Sequence, residues 1–467
     1  MLAEIADEQQ RQWLVFWLFI WVIVIIIVCR SQWNKKLPSV GLPLMYLFNL
    51  SIIHWFGALI YTFPWYNPNK NAYLASQGSS LTSTAIGFQE SVYGAIAFGL
   101  GNLILAPYLL KMLNPPWLYE FPQQPNFKLT KTYLILGLLF SLVLSPILSR
   151  IPSGTALMVS GTSLFIVGLC LACWESWQSR NKKAFLTWIL ISCGLPLYSL
   201  LTSGFMSFGT AAAVVVLLFV FNFYRPRWKL VVIGLLTIYF GLSVFVTYLR
   251  DRSAIRAAEA SSNSRIEEIQ NTVSQFELFD PLKQEHLESI DTRINQNVYV
   301  GMGVSNISSG LGEYAEGKTI EQGLISAVPR VLWPDKPTSA GSGDLITQAT
   351  GLKISEGTSM GIGQVLEFYF NFGSWGVFVG FLVFGTVLRV IDITAGYKLM
   401  SGNLLGFASW FLPGLGLLQP IGSLVDIVQT TAGSIVFVYI LNWLYLKKEK
   451  RRQALANWNK ITNAKID

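Results

Sequence analysis

Arg250, Arg252 and Arg256 fall within seven residues, and Arg265 lies a little further on. Arg252 and Arg256, four apart, share one face of a helix. A guanidinium grips phosphate through two hydrogen bonds and keeps its charge at any working pH. These arginines follow an apolar run directly, so the phosphate within reach is a lipid headgroup or a lipid-linked diphosphate. Interfacial anchoring, with ion pairs to Asp251 and Glu259, suits the same residues. A second cluster is Pro329-Arg330-Val331-Leu332-Trp333-Pro334-Asp335-Lys336-Pro337. Its three prolines fix a stiff, irregular backbone that displays Arg330, Asp335 and Lys336 beside an interfacial Trp. The alternative is a structural corner. A third is Gln364, Glu367 and Asn371, whose offsets of three and seven place them on one helical face. A carboxylate near the end of a membrane span is costly and therefore a functional candidate. Glu367 is the candidate general base for a hydroxyl, its pKa tuned by burial and by arginine neighbours. Glu90 and Asp426 sit at similar depth and read as helix-end carboxylates satisfied by the macrodipole.

The elements that hold these residues are membrane spans. Hydrophobic residues make up 52% of the chain and charged residues only 13%. Apolar runs such as Leu14 to Val28 are of the length needed to cross a hydrocarbon core of about 30 Å. The hydropathy pattern predicts an all-α polytopic integral membrane protein of about 11 transmembrane helices. The predicted spans are 13–29, 39–62, 91–110, 132–149, 154–174, 184–201, 205–222, 229–248, 362–388, 402–419 and 425–446. Transmembrane helices 1–8 thus occupy 1–248 and helices 9–11 occupy 362–446. A large loop (249–361) separates them, and a basic tail (447–467) follows. Basic clusters follow every second span: Arg30, Lys35 and Lys36; Lys111, Lys128 and Lys131; Arg180, Lys182 and Lys183; Arg225, Arg227 and Lys229; Arg389 and Lys398; then Lys447 to Arg452. That alternation places the amino terminus outside, the carboxyl terminus in the cytoplasm, and the large loop outside. The loop from Arg250 to Met360 carries ten cationic side chains against fifteen carboxylates, whereas the whole chain is +8. The excess of positive charge belongs to the short loops and sets orientation; it is not a nucleic-acid signal.

Within the loop, 250–293 is charged and rich in Glu, Gln and Ala, and is expected to be largely helical. Residues 294–312 are small and polar, suited to lying against the bundle. Ile320, Leu324, Ile325, Val328 and Val331 recur at 3–4 spacing and predict a short amphipathic surface helix, kinked or ended at Pro329. Thr202-Ser203-Gly204, with Ser207 and Gly209, allows close helix packing. Cys29, Cys170, Cys173 and Cys193 lie in or beside apolar runs and read as small hydrophobes. His54 and His286 are isolated, so no metal site is expected. No phosphate-binding glycine loop and no serine-hydrolase elbow is present.

Residues 329–337, followed by Gly357-Thr358-Ser359 and Glu367-Phe368-Tyr369-Phe370-Asn371-Phe372-Gly373, resemble the bacterial O-antigen and exopolysaccharide repeat-unit polymerases (Wzy-type). The motif resemblance covers about residues 295–390; elsewhere it is one of architecture. It implies an inverting, metal-independent glycosyltransferase without cofactor in the cytoplasmic (inner) membrane. Such an enzyme moves a growing glycan from a polyprenyl diphosphate carrier to an incoming lipid-linked unit. It implies that outer-loop arginines bind diphosphate, and the matching positions are Arg250, Arg252, Arg256 and Arg330. Asp335, Lys336 and Asn371 join them as substrate-binding candidates, with Glu367 and Arg330 as the catalytic ones. The implied partners are the polyprenyl-diphosphate-linked oligosaccharide, membrane lipid, and the chain-length regulator and flippase of the same pathway. Relatives often carry an Arg after a Thr/Ser-Gly-Ser turn between spans. Here Phe205 follows Thr202-Ser203-Gly204, so that contact is missing or moved.

Two alternatives stand beside this reading. A ligase shares the donor chemistry and often relies on an outer-loop His, for which only His286 is available. A flippase needs polar residues at mid-membrane along several spans, and spans four, five and seven have essentially none.

Overall fold

A backbone surrounded by lipid has only itself to hydrogen-bond with, so long apolar runs become helices. The computed structural model describes residues 2–33, 37–118, 122–144, 154–203, 206–224, 228–257, 262–328, 332–337, 339–354 and 360–463. Helix accounts for 80% of the structure, and no strand forms among the described residues. The first half contains α1 (Leu2–Gln32), α2 (Leu42–Ile53), α3 (Trp55–Ile60), α4 (Ala72–Ser76), α5 (Leu81–Leu100), α6 (Ala106–Leu113), α7 (Lys128–Leu139), α8 (Gly154–Gln178), α9 (Lys182–Cys193), α10 (Leu195–Ser203) and α11 (Met206–Tyr224). The second contains α12 (Trp228–Ala257), α13 (Ser262–Ser274), α14 (Gln284–Ile294), α15 (Asn297–Ser308), α16 (Lys318–Ser326), α17 (Ser342–Thr350), α18 (Gln364–Met400), α19 (Leu404–Gly416) and α20 (Leu424–Asn463).

Eight segments are long and apolar enough to cross a membrane: 7–32, 42–60, 81–113, 158–178, 182–201, 206–224, 364–400 and 424–451. Each overlaps one of the eleven predicted spans. The other three are not carried to the same standard. α7 and the turn after it are described only to Leu144, and residues 145–153 lie outside the described residues. α19 has 13 residues, about 20 Å of helix, short of the roughly 30 Å hydrocarbon core. α12 is long, but the polar segment 275–280 lies along it. Glu277 and Phe279 donate their N–H groups to Thr247 Oγ1 (3.2 Å) and Ser243 Oγ (2.9 Å), and the Tyr239 hydroxyl donates to the Phe279 carbonyl (3.0 Å). Leu236 and Phe240 of α12 remain exposed, and the side chains of 228–231, 233 and 235 lie outside the described residues.

The ninth predicted span, 362–388, runs on as α18 to Met400. Arg389 and Lys398, assigned above to a basic loop, lie buried inside the helix. The reason is neutralisation. Arg389 pairs with Asp392 one turn on, and Asp392 Oδ1 accepts the N–H groups of Val40, Gly41 and Leu42 at 2.9–3.0 Å. The carboxylate thereby caps the start of α2, where the helix dipole favours a negative charge.

Glycines set the closest contacts. A Cβ on Gly301 of α15 would overlap the Ser83 carbonyl of α5, and one on Gly87 would overlap the Asn297 carbonyl. The small, polar stretch after Ile294 therefore docks backbone to backbone against the bundle, as expected from its composition. Gly209 meets the Leu195 carbonyl in the same way, which is the close packing expected beside Thr202 and Ser203.

Candidate functional site

Gln364, Glu367 and Asn371 lie on one buried face of the first turns of α18, as their spacing predicts. Glu367 Oε2 accepts the Leu424 N–H at 2.7 Å, the first residue of α20. The same helix start carries a reciprocal cap: Ser423 Oγ donates to Asp426 Oδ2 (2.7 Å) and accepts the Asp426 N–H (3.2 Å). Asp426 is therefore the helix-start carboxylate expected of it. Glu367 is different. Its Oε1 is buried and has no hydrogen-bond partner in the structure. One oxygen is anchored at the positive end of α20, and the other, beside the Thr319 hydroxyl, makes no hydrogen bond of its own. Gln364 is structural: it accepts the Tyr46 hydroxyl, and its backbone N–H reaches the Pro420 carbonyl at 3.0 Å.

α16 roofs this carboxylate. Asn371 Nδ2 donates to Thr319 Oγ1 (2.7 Å) and to the Glu367 carbonyl (2.7 Å), while its Oδ1 accepts the Gly317 N–H (3.0 Å). With every polar atom so engaged, Asn371 fastens the roof rather than awaiting a ligand. The orientation of α16 differs from the simple amphipathic expectation. Its buried face is Thr319, Gly323 and Ser326, whereas Leu324 is 68% exposed. Gly323 sits against Leu424, and a close helix crossing selects the small face for burial.

Directly below, α18 breaks. Gly373 has φ 63° and ψ −154°, a conformation essentially confined to glycine. The Phe370 carbonyl, released by the break, accepts the Ala315 N–H at 2.8 Å. Ser374 Oγ, just past the break, donates to Glu90 Oε1 of α5 at 2.8 Å, and Glu90 Oε2 is buried without a partner.

The arginines form a separate cluster. Arg250 pairs with Asp251 (2.9 Å) and Glu277 (3.3 Å) and donates to the Gln275 carbonyl (3.1 Å). The ion-pair reading with Asp251 holds for it; the Glu259 partner lies outside the described residues. Arg252 is half-buried and Arg256 lies in the last turn of α12, its side chain outside the described residues. No described contact joins these arginines to Glu367. Arg330 also lies outside the described residues. Asp335 is exposed, and Lys336 Nζ donates to the Ser326 (3.1 Å) and Val328 (2.9 Å) carbonyls, closing the end of α16. The structure thus brings Glu367, Asn371 and Lys336 to the α16–α20 junction and leaves Arg250 and Arg252 elsewhere.

The arginine cluster makes a pH prediction. Hydrogen bonding from Lys283 holds the Glu277 carboxyl below its usual range, and Arg250 does the same for Asp251. A lowered native pKa contributes stability that is complete above the ordinary carboxylate value of about 4 and lost as pH falls through the lowered one. Amide exchange at Glu277 and Phe279 should therefore keep constant protection from neutrality to about pH 5 and lose it progressively in stronger acid. Protection that rises on acidification would contradict the assignment.

A buried polar network was not legible beforehand. The helix between α2 and α3 turns at His54, and the Ile53 carbonyl released there accepts the Gln296 N–H at 3.0 Å. His54 Nδ1 meets Asn297 Oδ1 (2.7 Å) and Ser91 Oγ (2.9 Å). Both contacts use one ring nitrogen, so the Ser–His–Asn trio lacks the two-sided geometry of a proton relay. Asn297 leads through Asn295 to Asp291, which accepts the Tyr61 (2.7 Å) and Tyr66 (2.6 Å) hydroxyls. Burial raises the Asp291 carboxyl, and burial beside Asp291 pushes both phenols far above their usual range, so they stay donors. This network pins α14 and α15 to the bundle. The pairing of residues 54 and 297 leaves no trace in any local pattern. His286 is equally committed, with Nδ1 accepting the Asp280 N–H (3.0 Å) and Nε2 facing Glu277 (3.3 Å).

No curated protein and no solved structure matches the chain. A family model covers residues 45–449, a range that takes in Glu90, Glu367, Asn371 and Asp426 alike. The chain belongs to that family, described as a domain of unknown function (DUF8712).

Proposed function

We propose that this chain is a bacterial inner-membrane glycosyltransferase that polymerises polyprenyl-diphosphate-linked oligosaccharide repeat units. On this reading the segment between α12 and α18 faces the outside and the carboxyl terminus the cytoplasm, and α7, α12 and the shorter α19 cross beside the eight long apolar segments. The observation that carries it is Glu367: a buried carboxylate near the amino-terminal end of a membrane-length helix, with Oε2 anchored by the Leu424 N–H and Oε1 left without a hydrogen bond beneath Thr319. In the reaction, Oε1 takes the proton of an acceptor sugar hydroxyl. The hydroxyl oxygen attacks the anomeric carbon of the donor, and the bond from that carbon to the diphosphate oxygen breaks. Polyprenyl diphosphate leaves with the electron pair, and the single displacement inverts the anomeric centre. Substrate reaches Oε1 when α16 lifts, a movement resisted by the Asn371–Thr319 hydrogen bond and by Lys336.

Diphosphate charge is met by guanidinium groups aimed at where negative charge develops. Arg330, which follows α16 in the chain, is the guanidinium this reading assigns to that role; Arg250, tied to two carboxylates, supports the neighbouring backbone instead, and neither Arg252 nor Arg256 makes a described contact with the Glu367 region. A ligase would use the same donor, but both ring nitrogens of His286 are occupied, which favours the polymerase.

Deletion in the native host tests the reading through the length of surface glycan on a gel. The expected result is loss of the polymer ladder with single repeat units retained. Loss of all attached glycan would instead mean a ligase, and repeats trapped on the cytoplasmic side a flippase.

A further inference from the structure

We propose that Glu90, Ser374, Tyr314 and Phe372 form a saccharide-binding subsite at the break in α18. The inference deepens the glycan-transfer reading and rests on it. Glu90 is 7% exposed, pairs with no cation among the described residues, and lies ten residues into α5, beyond the reach of that helix's start. Helix capping therefore does not account for it. Its Oε1 is held by Ser374 Oγ, and Ser374 itself is exposed. Its Oε2 lacks a partner. Once a side-chain movement at the break uncovers Oε2, such a carboxylate offers lone pairs to hydroxyl donors, and adjacent sugar hydroxyls supply two.

Aromatic faces border the same place. The Tyr314 and Tyr369 rings are 6.4 Å apart, and the Tyr314 hydroxyl lies against Gly373. Phe372 touches Gly317. Tyr314 is 45% and Phe372 53% exposed, whereas Tyr369 is buried beside Tyr314. Exposed ring faces carry negative charge density and suit the C–H faces of a pyranose, while a few convergent polar groups fix its orientation. Depth agrees. From Ser374 to buried Lys398 the helix rises about 36 Å, close to the roughly 30 Å hydrocarbon thickness. The break therefore lies at a membrane edge, the outer one on the proposed topology, beside the exposed Trp375, where interfacial aromatics collect. A sugar tethered to a lipid diphosphate occupies that level.

The test places photoreactive p-benzoylphenylalanine at Phe372 in the full chain, in native-host membranes, with Leu278 as the control position. Illumination should give adducts at Phe372, absent at Leu278, whose fragmentation releases sugar oxonium ions. Glu90→Gln should lower their yield several-fold at equal protein level. Adducts bearing only lipid, adducts no more abundant than at Leu278, or a yield indifferent to Glu90→Gln would each overturn the subsite. Failure here with a polymer ladder that still requires this chain removes the subsite and leaves the reaction. Sugar adducts in a host whose ladder does not require the chain remove the polymerase and leave the subsite.

Discussion

Asp392→Ala lowers the stability of the fold by about 3–5 kcal/mol, the usual cost of leaving a buried charge without its partner. Two losses combine. Arg389, fully buried with its Nε already unpartnered, loses its counter-charge. The N–H groups of Val40, Gly41 and Leu42 lose their common acceptor. Thermal unfolding of the purified protein in detergent reads the effect. Asp392→Asn keeps an acceptor for the backbone without the charge and should fall between the two. Adding Arg389→Met to Asp392→Ala should recover part of the loss, because the stranded charge is gone while the bare N–H groups remain. A stability unchanged by Asp392→Ala would show that the start of α2 needs no anion.

What the sequence exposes and what it hides follow from the range of each interaction. The apolar run at Leu14–Val28 and its counterparts announce helices, since satisfaction of the backbone in lipid is a local matter. The 3–4–7 spacing of Gln364, Glu367 and Asn371 placed them on one face because periodicity is also local. The end of α18 was hidden: Arg389 looked like the start of a basic loop, and only its pairing with Asp392 lets the helix continue. The break at Phe372–Gly373 was hidden as well, since a glycine in an apolar run does not reveal a positive φ. α16 carries two interleaved patterns, Ile320–Leu324 and Thr319–Gly323–Ser326, and the partner surface at Leu424 decides which is buried. Glu90 read as a helix-end carboxylate because Ser374, its partner, lies nearly three hundred positions away. His54 and Asn297 pose the same problem of distance in the chain.

Glu367→Gln separates the cap that the carboxylate provides to α20 from the general-base role proposed for it. Glutamine keeps an oxygen to accept the Leu424 N–H, so α20 stays capped and the protein should accumulate normally. It cannot take the proton of a sugar hydroxyl. Removal of a general base costs about 10²–10⁴ in rate, enough to reduce a polymer ladder to single units. The decisive measurement is therefore the glycan ladder of the deletion host complemented with Glu367→Gln at wild-type protein level. Single repeat units with no ladder are the predicted result; a ladder of normal length and abundance would reduce Glu367 to the cap of a helix and contradict the proposed chemistry.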